Sequence, residues 1–183
     1  MANYSLDRFA ALVVEDNAYI RRLLQTTLHS LGIGTVKTVE HGGEAIDLIK
    51  LIASDPMKAG IMSLDLIFSN WQMSPVDGSM LLRWIRSHKE SPDRFIPFAM
   101  VTGYADRDKV AEAREIGVTE FLAKPFSIEA VTARLTQVIE RPRPFFHTSS
   151  YFGPDRRRQQ VDYKAADRRK LKEGDEGVEV VYE

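Results

Sequence analysis

Five residues spread over the first 124 positions carry side chains that form a chemical set only if the fold collects them. Glu15 and Asp16 are adjacent carboxylates at the end of the apolar run from Phe9 to Val14 (FAALVV). Asn70 offers an amide oxygen, Thr102 a hydroxyl, and Lys124 an ammonium just before Pro125 and Phe126. Two acids beside a third oxygen ligand suit a hard divalent cation of the magnesium type. The hydroxyl and the ammonium suit the oxygens of a phosphoryl group, with the lysine acting as a point charge. Asn70 is the discordant member, since an amide is neither an anion nor a nucleophile toward phosphorus. Only two of these three oxygen ligands are anionic, so such a site binds Mg2+ weakly.

A second set lies beyond Arg141. The stretch Tyr151-Phe-Gly-Pro-Asp155-Arg156-Arg157 is echoed twelve residues on by Tyr163-Lys-Ala-Ala-Asp167-Arg168-Arg169, and Arg158 extends the first copy. Each copy joins one aromatic ring to Asp-Arg-Arg at a fixed spacing; the second has Ala165-Ala166 in place of Gly-Pro. Arginine pairs bidentately with the O6/N7 edge of guanine. Aspartate accepts from its N1–H and N2–H, tyrosine and arginine planes stack on the base, and further arginines fork onto phosphates. A ligand with two guanines, or two such ligands, would match two copies.

The elements that must position the first set follow from the apolar pattern. Phe9–Val14 is a strand buried on both faces. Asn17 caps a helix with Ile20, Leu23, Leu24, Leu28 and Leu31 at spacings of three and four, stopped by Gly32 and Gly34. Thr35–Val39 is a strand, and the next helix runs from Gly42 to Asp55-Pro56. Ser63–Ser69 is the third strand, followed by a turn-rich loop over Asn70–Gly78 and a helix bearing Met80, Leu81, Trp84 and Ile85. Pro97–Val101 is the fourth strand. A helix over Arg107–Ile116 ends at Gly117, and Glu120–Ala123 is the fifth strand. Ser127 caps the last helix, with Ile128, Val131, Leu135 and Val138 on its inner face. Strands alternating with helices predict a doubly wound α/β sheet with right-handed crossovers. Its active crevice lies at the carboxyl ends of the strands, where all five residues of the first set fall.

VVEDN, NWQMSPVDG, VTGYAD and FLAKPF, in this order and spacing, resemble the signature blocks of CheY-like response-regulator receivers over about 130 residues. The resemblance implies a flavodoxin-like five-stranded parallel sheet of order 2-1-3-4-5. It implies an acidic pair, Glu15 and Asp16, that helps hold Mg2+; a switch hydroxyl at Thr102; the family lysine at Lys124 before a cis Pro125; and an aromatic switch at Phe121. Met73 and Asp77-Gly78 set the frame of the third block and place Asn70 where the family carries its phosphoacceptor aspartate. Asp65 lies too early and Asp77 in the loop beyond. Ser74-Pro75 stands where the family has proline directly after methionine.

The receiver followed by repeated Asp-Arg-Arg also resembles the CheY-like cyclic di-GMP effectors of alphaproteobacteria. That resemblance implies dinucleotide binding through Tyr151, Asp155, Arg156, Arg157, Arg158, Tyr163, Asp167, Arg168 and Arg169. It also implies that the receiver docks on a signalling partner such as the flagellar motor switch or a histidine kinase.

Charge separates the two parts. Residues 1–140 carry a net −3, residues 141–172 a net +7, and the last eleven residues five acids and no base. The expected organisation is a receiver over 8–140 and a flexible, Pro/Arg-rich tail over 141–183, partly disordered without ligand. The tail is too short and too polar for a DNA-binding core, although seven net positive charges would attract any polyanion. Cysteine is absent, which removes disulfides and thiolate metal sites. The histidines at 29, 41, 88 and 147 show no ligand spacing and read as surface residues. No apolar stretch reaches membrane-spanning length, so the expected location is cytoplasmic. The expectation is a non-enzymatic adaptor, independent of phosphorylation, that binds cyclic di-GMP. The alternatives are a conventional phosphorelay receiver, or a variant of one with Asn70 in the acceptor's place, and a tail that binds nucleic acid.

Overall fold

The computed structural model describes residues 6–103, 107–149, 151–156 and 178–181. After a 3-10 turn at Leu6–Arg8, strands β1 (Ala10–Val14), β2 (Thr35–Val39), β3 (Leu66–Asn70), β4 (Phe98–Thr102) and β5 (Glu120–Ala123) form one sheet of order β2-β1-β3-β4-β5. Every pairing in it is parallel. Between and after these strands run α1 (Ala18–Ser30), α2 (Gly42–Ser54), α3 (Pro56–Ala59), α4 (Gly78–Ser87), α5 (Arg107–Ile116) and α6 (Ile128–Glu140). The flavodoxin-like order expected from the sequence is the order found.

Alternation along each strand divides the core into two layers, because successive side chains point to opposite faces of a sheet. Leu12, Val14, Ile67, Phe98 and Met100 face α2, α4 and α5 with Ala45, Ile49, Leu81 and Ile85. Ala11, Val13, Phe68, Val101 and Leu122 face α1 and α6 with Leu24, Leu28, Val131 and Leu135. Two-sided burial explains why the central strands β1, β3 and β4 read as largely apolar runs. Asn17 caps α1 by accepting from the N–H groups of Tyr19 and Ile20, and Ser127 caps α6 through Ala130.

Several local expectations are corrected. Strand β3 begins at Leu66 rather than Ser63, and Asn70 is its last residue rather than the first of the loop. Asp55-Pro56 ends α2 but also starts the extra turn α3, because Asp55 accepts from Lys58 and proline is pre-set for a first helical position. Ile128 is half exposed rather than an inner-face residue. His41 is not merely a surface residue, since its ring nitrogen caps α2.

The part of the tail that is described folds back on the receiver. Strands β6 (Phe145–His147), β7 (Phe152–Pro154) and β8 (Glu179–Val181) form an antiparallel sheet of order β7-β6-β8. Phe95, Phe145 and Phe152 meet with ring centroids 5.2–5.6 Å apart, and the Arg94 guanidinium lies 3.9 Å over the Phe152 ring. Buried Arg86 of α4 holds the seam: it donates to the carbonyls of Arg94, Ile96 and Gly117 and faces the Phe145 ring at 5.2 Å. Gly117, at φ +100°, sits so close to β7 that a Cβ there would lie 2.9 Å from the Phe152 carbonyl oxygen.

Candidate functional site

The carboxyl ends of β1, β3, β4 and β5 converge as doubly wound sheets require. Parallel register sets Asn70 opposite Val101 and Thr102 opposite Ala123, so one pocket receives residues distant in sequence. Gly78 closes the loop after Asn70: its N–H donates to the Trp71 carbonyl, and a Cβ on it would lie within 2.1 Å of the Asn70 carbonyl oxygen. That close approach accounts for the Asp77-Gly78 pair, in which Asp77 caps α4.

The side chains form a connected network. Lys124 donates to Glu15 Oε2 at 2.6 Å and to Asn70 Oδ1 at 3.1 Å. Asn70 Nδ2 donates to Asp16 Oδ1 at 3.0 Å and to the Gln72 carbonyl at 2.8 Å. The orientation of the amide is dictated by its neighbours: an ammonium has no acceptor, while a carboxylate and a carbonyl have no donor. Asn70 therefore turns its oxygen to Lys124 and its N–H groups to Asp16 and Gln72. Thr102 ends β4, and its carbonyl accepts from the Lys124 N–H at 2.8 Å. The Lys124–Pro125 bond is cis, as the resemblance implied, and so is Ser74–Pro75. Burial pushes the Glu15 carboxyl above its ordinary range, opposed by the bond and charge of Lys124.

The fit to Mg2+ follows from these contacts. Glu15 and Asp16 stand side by side with oxygens suited to the cation. The third position, however, points N–H groups toward Asp16 and gives its oxygen to a lysine. Among the described residues no group of three His, Cys, Asp or Glu side chains is placed to hold a metal ion. Asp65 is engaged elsewhere, accepting from the Ala10 N–H at 2.7 Å at the start of β1.

The second set is only partly described. Arg157, Arg158, Tyr163, Asp167, Arg168 and Arg169 lie outside the described residues. Within the first copy, Arg156 stacks on the Tyr151 ring at 3.9 Å and pairs with Glu115 of α5 at 2.6 Å. The Tyr151 hydroxyl donates to the Pro154 carbonyl, and burial raises its pKa, so it is protonated at neutral pH. The Asp155 N–H donates to the Pro144 carbonyl. Nothing in the residue pattern singles out Glu115 or Arg86. Each belongs to a helix whose periodicity is satisfied without it; the partner of Glu115 comes from the docked hairpin, and those of Arg86 are carbonyls before β4 and β5.

The family model for the response regulator receiver domain matches residues 11–136. The chain belongs to that family. A chemotaxis protein CheY homolog of Campylobacter jejuni is 31% identical over 128 residues, which cover 70% of this chain and 90% of the relative. Chemotaxis protein CheY-3 of Vibrio cholerae is 27% identical over 130 residues, covering 71% and 91%. Among solved structures, Vibrio cholerae CheY4 aligns with a TM-score of 0.59 at 27% identity, covering 72% of this chain and 98% of that one. The receiver domain of the Arabidopsis thaliana histidine kinase CKI1, complexed with Mg2+ and BeF3−, aligns with a TM-score of 0.60 at 26% identity, covering 70% and 89%. The receiver identity established by these matches is the one the signature blocks implied. Among the described residues, no helix is long and apolar enough to cross a membrane.

Proposed function

We propose that this receiver is a non-enzymatic signalling adaptor whose input is cyclic di-GMP at the arginine-rich tail rather than phosphate at Asn70. The observation that carries the reading is the bonding of Asn70. Its amide stands between the acidic pair and the lysine, where receivers bear their acceptor aspartate. There it satisfies Lys124, Asp16 and Gln72 at once while offering no nucleophile. Lys124, which in a working receiver would meet phosphoryl oxygens, is shared between Glu15 and Asn70. The retained pocket then acts as scaffold, and any Mg2+ held by Glu15 and Asp16 is weakly bound.

Support for the tail comes from the repeated aromatic/Asp-Arg-Arg motif, whose first copy brings the Tyr151 ring and the Arg156 guanidinium together. The ligand residues assigned on this reading are Tyr151, Asp155, Arg156, Arg157, Arg158, Tyr163, Asp167, Arg168 and Arg169. The CheY relatives are named as chemotaxis proteins, which fits a motor component or a histidine kinase as partner. The partner's docking face is that of α5, β5 and α6, beside the tail.

Calorimetric titration of the full chain with cyclic di-GMP is the test. Saturable heat is expected, abolished by Arg156→Ala combined with Arg168→Ala; no heat at high micromolar ligand sinks the reading. Retention of Glu15, Asp16, Thr102 and Lys124 favours one alternative, a conventional phosphorelay receiver. A hydroxylamine-sensitive adduct on the unaltered chain after incubation with acetyl phosphate and Mg2+ would establish it.

A further inference from the structure

Arg156 has one guanidinium, and the structure uses both its face and its edge. The face lies 3.9 Å from the Tyr151 ring. The edge is taken by Glu115 Oε1 at 2.6 Å, from the exposed side of α5. The pair is solvent-accessible, with 40% of the Arg156 side chain and 65% of the Glu115 side chain exposed. Arg156 also borders a cavity of only about 10 Å3, walled with it by Arg114, Phe121 and Tyr151 among others. That space holds at most one water, so it is not itself a nucleotide site. An acceptor that binds the Nη1 donor of this guanidinium meets Glu115 there.

We propose that Glu115 is an internal competitor for Arg156. It occupies the guanidinium edge in the ligand-free protein and yields it to an acceptor edge of the ligand, a phosphodiester oxygen or the O6/N7 edge of guanine. This inference rests on the cyclic di-GMP reading above and adds to it a residue of the receiver itself. An exposed ion pair is weak enough to be exchanged, and a planar guanidinium is served equally well by carboxylate or phosphate. Exchange has two consequences. The Tyr151–Arg156 end of the hairpin loses its tie to α5, and α5 gains an unpaired carboxylate. Ligand capture in the tail is thereby converted into a change of charge on the receiver surface, with no phosphate required.

The test compares Glu115→Gln with Glu112→Gln. Glu112 lies one turn earlier on α5, is similarly exposed, and pairs with Arg83 at 3.1 Å, so its substitution removes the same charge without touching Arg156. In calorimetric titration with cyclic di-GMP, Glu115→Gln should bind two- to roughly fivefold tighter than the unaltered chain, the span an exposed pair allows. Glu112→Gln should match the unaltered chain. In ligand-free protein, amide exchange at Phe152, Gly153 and Asp155 should quicken by up to the same factor in Glu115→Gln alone. Equal affinities for the two variants would reduce the effect to general charge and overturn the proposal, as would unchanged exchange in Glu115→Gln. If the unaltered chain gives no heat with cyclic di-GMP, the ligand reading falls. The exchange comparison, with inorganic diphosphate as titrant, then judges the Glu115 contact separately.

Discussion

Aspartate and asparagine differ by one oxygen exchanged for an NH2, yet in this pocket the exchange reverses the polarity of one side of the residue. Asn70 donates to Asp16 and Gln72 where a carboxylate would repel the first and find no donor in the second. Substitution of Asn70 by Asp should therefore cost stability without metal, by about 1–2 kcal/mol from lost hydrogen bonds and a third clustered carboxylate. The same change completes a three-carboxylate site. Millimolar Mg2+ should then raise the melting temperature of Asn70→Asp while leaving the unaltered chain nearly unchanged. Acetyl phosphate should add a phosphoryl group to the variant only. Thermal melts with and without Mg2+, followed by intact mass, check both; equal Mg2+ responses of the two proteins would contradict this account of the pocket.

At the scale of elements, the informative features are where one segment closes on another. Patterning reveals that α4 is a helix with an apolar face, but not that Arg86 on it is buried and serves three carbonyls from the approaches to β4 and β5. A buried arginine is legible only when its partners are known, because charged residues are otherwise expected outside. Arg86→Ala should strand those carbonyls and remove a cation from the Phe145 ring. The expected loss is about 3 kcal/mol in urea unfolding, whereas exposed Arg83→Ala should cost under about 0.5 kcal/mol. The extra turn α3 and the late start of β3 are illegible in the pattern for a related reason. Proline after aspartate ends one helix and begins another equally well, and Ser63 and Leu64 resemble strand residues until the register with β1 excludes them.

For the molecule as a whole, the pocket and the tail dock occupy opposite ends of the sheet. Asn70 and Lys124 lie at its carboxyl edge, while Arg86, Phe95 and Gly117 gather the hairpin near the amino ends of β4 and β5. Strands of four or five residues at about 3.3 Å each put roughly 15 Å between the two. Stability changes from Asn70→Asp and Phe152→Ala should therefore add to within about 0.5 kcal/mol in a double variant. A larger coupling in denaturant unfolding would mean that the hairpin senses the pocket directly.

Apolar runs, caps and glycine stops were enough to place strands alternating with helices, and the signature blocks, through the family they resemble, implied the strand order. The patterns are local, so they locate elements along the chain without ordering them in space. The signature blocks likewise marked Glu15, Asp16, Asn70, Thr102 and Lys124, because strand ends in this topology converge on one crevice. Tertiary structure alone decided how Asn70 is turned, since an amide's orientation depends on whether its neighbours give or accept protons. It alone also set Arg156 against Glu115. Charge composition shows that a basic tail follows an acidic domain, but which carboxylate meets which guanidinium depends on backbones packed as closely as Gly117 and β7.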